Sequence, residues 1–176
     1  RLTAYAVTDD VKAGTLLNNE NSIDTDTTKK GDSADVSNTG FDGYRFLYWR
    51  AGRNSGDSIG YNSTYTESSL TSDKNVYALY TQYKNVSFNA YTVDKSGEYI
   101  SCNTNNPFVS KTEKIKINNT LSVKASRPDL SSCAYVYKGW TYDRYSGTLN
   151  TSTDYSSSIS DSTNVFFVYS QPDPYK

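Results

Sequence analysis

The sequence predicts a mainly β protein built as two tandem small modules with little helix. Three observations lead there. First, the chain repeats itself. Residues 75–82 read N-V-Y-A-L-Y-T-Q and residues 164–171 read N-V-F-F-V-Y-S-Q, while Y-R-F-L-Y-W at 44–49 is answered by Y-V-Y-K-G-W at 135–140. The offset is 91 at the tryptophans (140 minus 49) and 89 at the final tyrosines (169 minus 80). Two blocks in the same order at a nearly constant offset mark an internal duplication. Second, aromatics reach 14 % of the chain, with 17 Tyr, although hydrophobic residues make up only 35 %. Sheets with thin cores of amphipathic rings have such a composition, whereas disordered chains are poor in aromatics. Third, short β-rich runs bounded by turn residues recur along the chain. The duplication sets the boundary, giving modules 1–83 and 84–176, each near the lower limit for an independent core.

The elements follow in order. Residues 2–8, L-T-A-Y-A-V-T, read as an opening strand, with a counterpart at 86–93, V-S-F-N-A-Y-T-V. Residues 9–17 could form a short helix. Residues 18–38 are polar and nearly free of large apolar side chains, so a loop or poorly formed strands are expected. In the second module, Asp94-Lys95-Ser96-Gly97 reads as a turn and residues 98–102 as the returning arm of a hairpin. Lys114, Ile115, Lys116 and Ile117 alternate with the isoleucines on one face. Asn118-Asn119 then makes a turn before strand character resumes at Leu121. The tryptophan strands come next. In each module a Ser-Ser-apolar run (Leu70, Ile159) precedes the closing strand and is expected to plug the core from a turn or a single helical turn. Residues 81–85 read as a short linker, and Gln171-Pro172-Asp173-Pro174 as the next one, held extended by its prolines.

Composition excludes several classes. The 18 basic and 19 acidic residues are well mixed and give a net charge of −1, which argues against nucleic acid, whose binders show a basic stripe. No stretch of 18 apolar residues exists, so no membrane insertion is expected of this segment. The chain lacks Met and opens at Arg1 before an apparent strand, and so reads as a piece of a longer one. It also lacks His, the usual general base and metal ligand, which removes the ordinary serine triad. The acids cluster in turns such as Asp9-Asp10, and Asp24-x-Asp26 lacks the third oxygen ligand and the distal Glu of a calcium loop. The reading is therefore not an enzyme, with no catalytic, cofactor-binding or metal-ligating residues and no cofactor.

The repeated blocks resemble the internalin-type B-repeat, also called the Listeria–Bacteroides repeat. Its pattern is an opening strand, a variable middle, a G-Y-x-F-x-G-W strand, a polar connection and a closing strand ending near L-Y-A-x-W. The first module supplies G-Y-R-F-L-Y-W at 43–49 and V-Y-A-L-Y at 76–80; the second supplies A-Y-V-Y-K-G-W at 134–140 and V-F-F-V-Y at 165–169. Tyr48 stands in place of the second glycine of the pattern and Ala134 in place of the first, and both modules are longer than the usual unit. The resemblance covers about a third of the chain. It implies β-grasp-like modules on an extracellular bacterial protein, secreted or anchored to the cell wall. The function it implies is a non-catalytic spacer or stalk segment of an adhesin, with neighbouring repeats of the same chain as partners.

A different class of function is a ligand-binding module that recognises host protein or glycan. The candidate contacts are Tyr61, Tyr65, Tyr142 and Tyr145, which lie among Asn, Asp, Ser and Thr and could stack on sugars or anchor a partner. Read otherwise, these are surface tyrosines covering a thin core. Trp49, Trp140, Tyr80 and Tyr169 recur at matched positions and are expected to be mostly buried. Cys102 and Cys133 either form a disulfide, worth roughly 3–4 kcal/mol by loop-closure entropy, or lie as unpaired buried thiols.

Overall fold

The computed structural model describes residues 1–145 and 147–172; Asp173 and Pro174 of the expected linker lie outside the described residues. The fold is mainly β. Its strands are β1 (Leu2–Thr8), β2 (Thr15–Leu16), β3 (Asp24–Asp26), β4 (Ala34–Ser37), β5 (Tyr44–Arg50), β6 (Ser58–Gly60), β7 (Thr64–Glu67), β8 (Lys74–Asp94), β9 (Val109–Lys116), β10 (Leu121–Ser126), β11 (Val136–Thr141), β12 (Asp154–Ile159) and β13 (Thr163–Ser170). A single 3₁₀ turn at Ser131–Cys133 is the only helical element among the described residues. The chain divides into two compact units, Arg1–Lys84 and Asn85–Lys176.

In the first unit β1 runs parallel to the first half of β8, from Leu2 opposite Lys74 to Thr8 opposite Tyr80. β5 adds antiparallel on the other side of β8, and β6 follows β5. β2 and β3 both pair antiparallel with β1. Alternation assigns the two faces. Leu2, Ala4, Ala6, Val76, Ala78 and Tyr80 face a core that also holds Trp49 and Leu70. The antiparallel β4–β7 pair contributes Ala34 and Val36 to the same core. Residues 9–17 form a turn and β2, not a helix; Gly14 at φ +70° suits a turn. The polar stretch 18–38 holds two short strands tied by side chains. Asp24 accepts from the Ser37 N–H at 2.7 Å and Asp26 from the Asp35 N–H at 2.9 Å, so these acids serve β3–β4 cohesion.

In the second unit the second half of β8 runs parallel to β13, and β11 pairs antiparallel with β13. β9 joins the far side of β8, and β10 pairs with β12. Val86, Phe88, Ala90, Val165, Phe167 and Tyr169 face a core completed by Leu121, Val123, Tyr155 and Ile159. Three expectations change here. Residues 81–85 lie within β8 instead of forming an irregular linker. Ile159 plugs the core from the end of β12, opposite Leu121, and not from a turn. The returning arm at 98–102 is reduced to one bridge, Val93 to Tyr99.

The duplicated sequence blocks occupy duplicated positions. Each tryptophan strand carries a β-bulge, between Phe46 and Tyr48 and between Tyr137 and Gly139. Trp49 lies opposite Ala78, and Trp140 opposite Phe167. Tyr80 Oη donates to the Thr39 carbonyl at 2.5 Å, and Tyr169 Oη to the Pro128 carbonyl at 2.6 Å, both spanning 41 residues. Burial pushes both phenols up. Trp49, Tyr80 and Tyr169 are buried, but Trp140 is only half-buried, its ring packed edgewise on Tyr142 and Tyr155.

Candidate functional site

The sheet face turned away from each core carries a stack of rings. In the first unit the cross-strand neighbours Tyr5 and Tyr77 stack at 5.8 Å between centroids. In the second unit the corresponding pair, Tyr91 and Phe166, stacks at 5.5 Å. Such cross-strand aromatic pairs stabilise a sheet.

A clasp borders each stack. Four residues after each tryptophan stands an arginine, Arg53 or Arg144. Arg53 Nε donates to the Gly14 carbonyl at 2.9 Å, and Arg144 Nε donates to the Gly97 carbonyl. The next residue, Asn54 or Tyr145, lies so close over that glycine that an added Cβ would meet Asn54 Oδ1 at 2.2 Å or the Tyr145 ring at 2.7 Å. In the first unit the clasp is reinforced. Arg50, only 2 % exposed, grips Asp9 with both terminal nitrogens at 2.6 and 3.0 Å and also donates to the Arg53 carbonyl. The hydrogen bond from Arg50 holds the Asp9 carboxyl below the usual carboxylate range, against an opposing push from burial.

The two clasps enclose different things. Opposite Val93 stands Tyr99, whose ring stacks on Tyr91 at 5.2 Å and is covered by the Arg144 guanidinium at 4.0 Å. Opposite Val7 stands Leu16. With the smaller side chain there, a cavity of about 300 Å³ remains, lined by Tyr5, Leu16, Glu20, Arg53, Asn75 and Tyr77. Glu20 reaches it from a turn closed by the Asn21 N–H on the Asn18 carbonyl at 2.8 Å. Both central residues of that turn have positive φ, 48° at Asn19 and 66° at Glu20.

The four candidate tyrosines are dispersed. Tyr65 is half-buried against Trp49, and its hydroxyl is held between Glu67 at 2.9 Å and Lys74 at 3.2 Å, so its ring covers the core of the first unit. Its partners commit that hydroxyl to the β7–β8 junction. Tyr61 is exposed and packs on Tyr48, with its hydroxyl 2.6 Å from Ser58 Oγ. Tyr142 is exposed at one edge and donates to the Tyr155 hydroxyl at 3.2 Å; that bond, with burial, pushes its phenol up to about 12. Tyr145 is exposed over Gly97. Cys102 and Cys133 are joined, tethering the segment after the hairpin to the 3₁₀ turn across 31 residues. Among the described residues no helix is long and apolar enough to cross a membrane, and no group of three or more His, Cys, Asp or Glu is placed to hold a metal.

Sequence reasoning did not find the clasp or the cavity. The signal was the matched spacing Trp49-x-x-x-Arg53 and Trp140-x-x-x-Arg144. No family model matches the chain, and neither the curated proteins nor the solved structures give a significant match.

Proposed function

We propose that this chain is a non-catalytic repeat segment of a bacterial cell-surface protein, a spacer or stalk of an adhesin built from two tandem β-grasp-like modules. The observation that supports the reading is the recurrence of scaffold contacts at duplicated positions. The bulge, the tyrosine-to-carbonyl bond over 41 residues and the arginine-to-glycine clasp all occur twice. The parallel pairing of opening and closing strands in each half is what a β-grasp-like module requires, with the β4–β7 and β10–β12 pairs covering the core where a helix would otherwise lie. Repetition of one module extends reach without new chemistry. A disulfide suits an oxidising, extracellular setting.

Location tests this reading. Antibodies raised against the segment are expected to label intact, unpermeabilised cells of the source organism, and mild surface proteolysis is expected to abolish the label. Labelling that needs permeabilised cells would defeat the surface reading.

A further inference from the structure

The first unit leaves open a place that the second unit fills with a ring of its own. In the second unit the order is Phe166, Tyr91, Tyr99, Arg144: three stacked rings with a guanidinium over the last at 4.0 Å. In the first unit the matching positions are Tyr77, Tyr5, Leu16 and Arg53, and the cavity of about 300 Å³ lies among them. That volume is at the lower end of the range of small-ligand sites, about 300–1,000 Å³, so it suits one ring and not an extended chain.

We propose that this cavity binds a carbohydrate, seating one pyranose ring on the Tyr5–Tyr77 pair. A pyranose offers an apolar C–H face to the aromatic floor and hydroxyls around its rim. The polar groups on the wall fit that rim: the Glu20 carboxylate accepts, the Arg53 guanidinium donates, and the Asn75 amide does both. An aromatic side chain from a protein partner matches the floor but not the wall, because it would take water from those three groups without replacing the hydrogen bonds. Glu20 is held in place by its turn. It holds a left-handed conformation that residues other than Gly, Asn and Asp seldom adopt, in a turn braced by the Asn18 side chain on the Ser22 carbonyl at 3.2 Å. Beyond the ring's place, a wider depression of about 590 Å³ shares Leu16, Glu20 and Arg53 and continues to Lys12 and Asn54, giving room for a neighbouring sugar. The proposal does not depend on the spacer reading, since the site is complete within the first unit.

The intact chain is applied to a glycan array. The methyl pyranosides of glucose, galactose, mannose and N-acetylglucosamine are then titrated against it by NMR, with N-acetyltyrosinamide as the aromatic probe. Saturable sugar binding that shifts Tyr5 and Tyr77 resonances is expected. Leu16→Tyr supplies the ring that Tyr99 provides in the second unit, and is expected to cut affinity at least tenfold while the melting temperature holds or rises. Asn75→Ala, an exposed position, is expected to weaken binding several-fold and keeps the test decisive if Leu16→Tyr does not fold. No array signal together with no shifts overturns the proposal, as does sugar binding unchanged in a folded Leu16→Tyr or Asn75→Ala protein. Occupation of the cavity by N-acetyltyrosinamide in preference to every sugar also overturns it, in favour of a protein partner.

Discussion

At the scale of single residues, the two units solve the same problem with unequal completeness. Trp49 Nε1 donates to the Asn62 carbonyl at 2.9 Å, whereas Trp140 Nε1 is buried with no acceptor among the described residues. Trp49→Phe removes a made hydrogen bond and leaves a cavity, and is expected to cost about 2–4 kcal/mol. Trp140→Phe removes an unmade one and is expected to cost about 1 kcal/mol or less. Denaturant unfolding of the two variants checks the contrast; equal losses would contradict it. The Arg50–Asp9 pair gives a pH dependence. The folded Asp9 carboxyl lies below its unfolded value of about 3.9. Its contribution is therefore present above that value and is lost as pH falls through the folded one. Acid unfolding of the first unit is expected to flatten below about pH 4 in Asp9→Asn. An unchanged acid limb would assign the dependence to other carboxylates.

At the scale of elements, the entry into each tryptophan strand is a left-handed residue, Gly43 at φ +77° and Ala134 at φ +60°. Ala134 thus stands at the position that matches Gly43 and adopts the same left-handed conformation. Only glycine holds it without steric cost, which for other residues is about 1–2 kcal/mol. Opposite signs follow: Gly43→Ala is expected to destabilise by about 1–2 kcal/mol and Ala134→Gly to be neutral or stabilising by up to about 1 kcal/mol. Thermal melts of both variants measure this. The strands themselves were largely legible in the sequence. β1, β5, β8, β10, β11 and β13 announce themselves by alternation and by duplication. β2 has only two residues, too few to show a period, and β3 and β4 are tied to each other by Asp24 and Asp26 side chains on distant backbone N–H groups, which leave no periodic pattern. The expectation of a helix at 9–17 failed for a related reason. Asp9 accepts from the Gly14 N–H at 2.8 Å, and such side-chain to backbone bonds compete with a helix.

At the scale of the whole chain, the two units share scaffold contacts and differ in what the scaffold presents. The core tyrosines, bulges and clasps match position by position. The ring stack behind them is closed in one unit by Tyr99 and open in the other at Leu16. A reading by residue type singled out tyrosines beside polar residues, and so pointed to Tyr142 and Tyr145. Tyr5 and Tyr77 escaped notice because they sit inside apparent core strands, and which face of a strand is covered depends on the other strands. Both halves share one pairing plan, and cross-strand NOEs in the intact chain read that plan directly. The shared plan predicts parallel contacts of Ala4, Ala6 and Thr8 with Val76, Ala78 and Tyr80, and of Ala90, Thr92 and Asp94 with Val165, Phe167 and Tyr169. It predicts antiparallel contacts of Trp49 with Ala78 and of Trp140 with Phe167. A second half in which β13 pairs antiparallel with β8, or in which Trp140 has neighbours unlike those of Trp49, would contradict it.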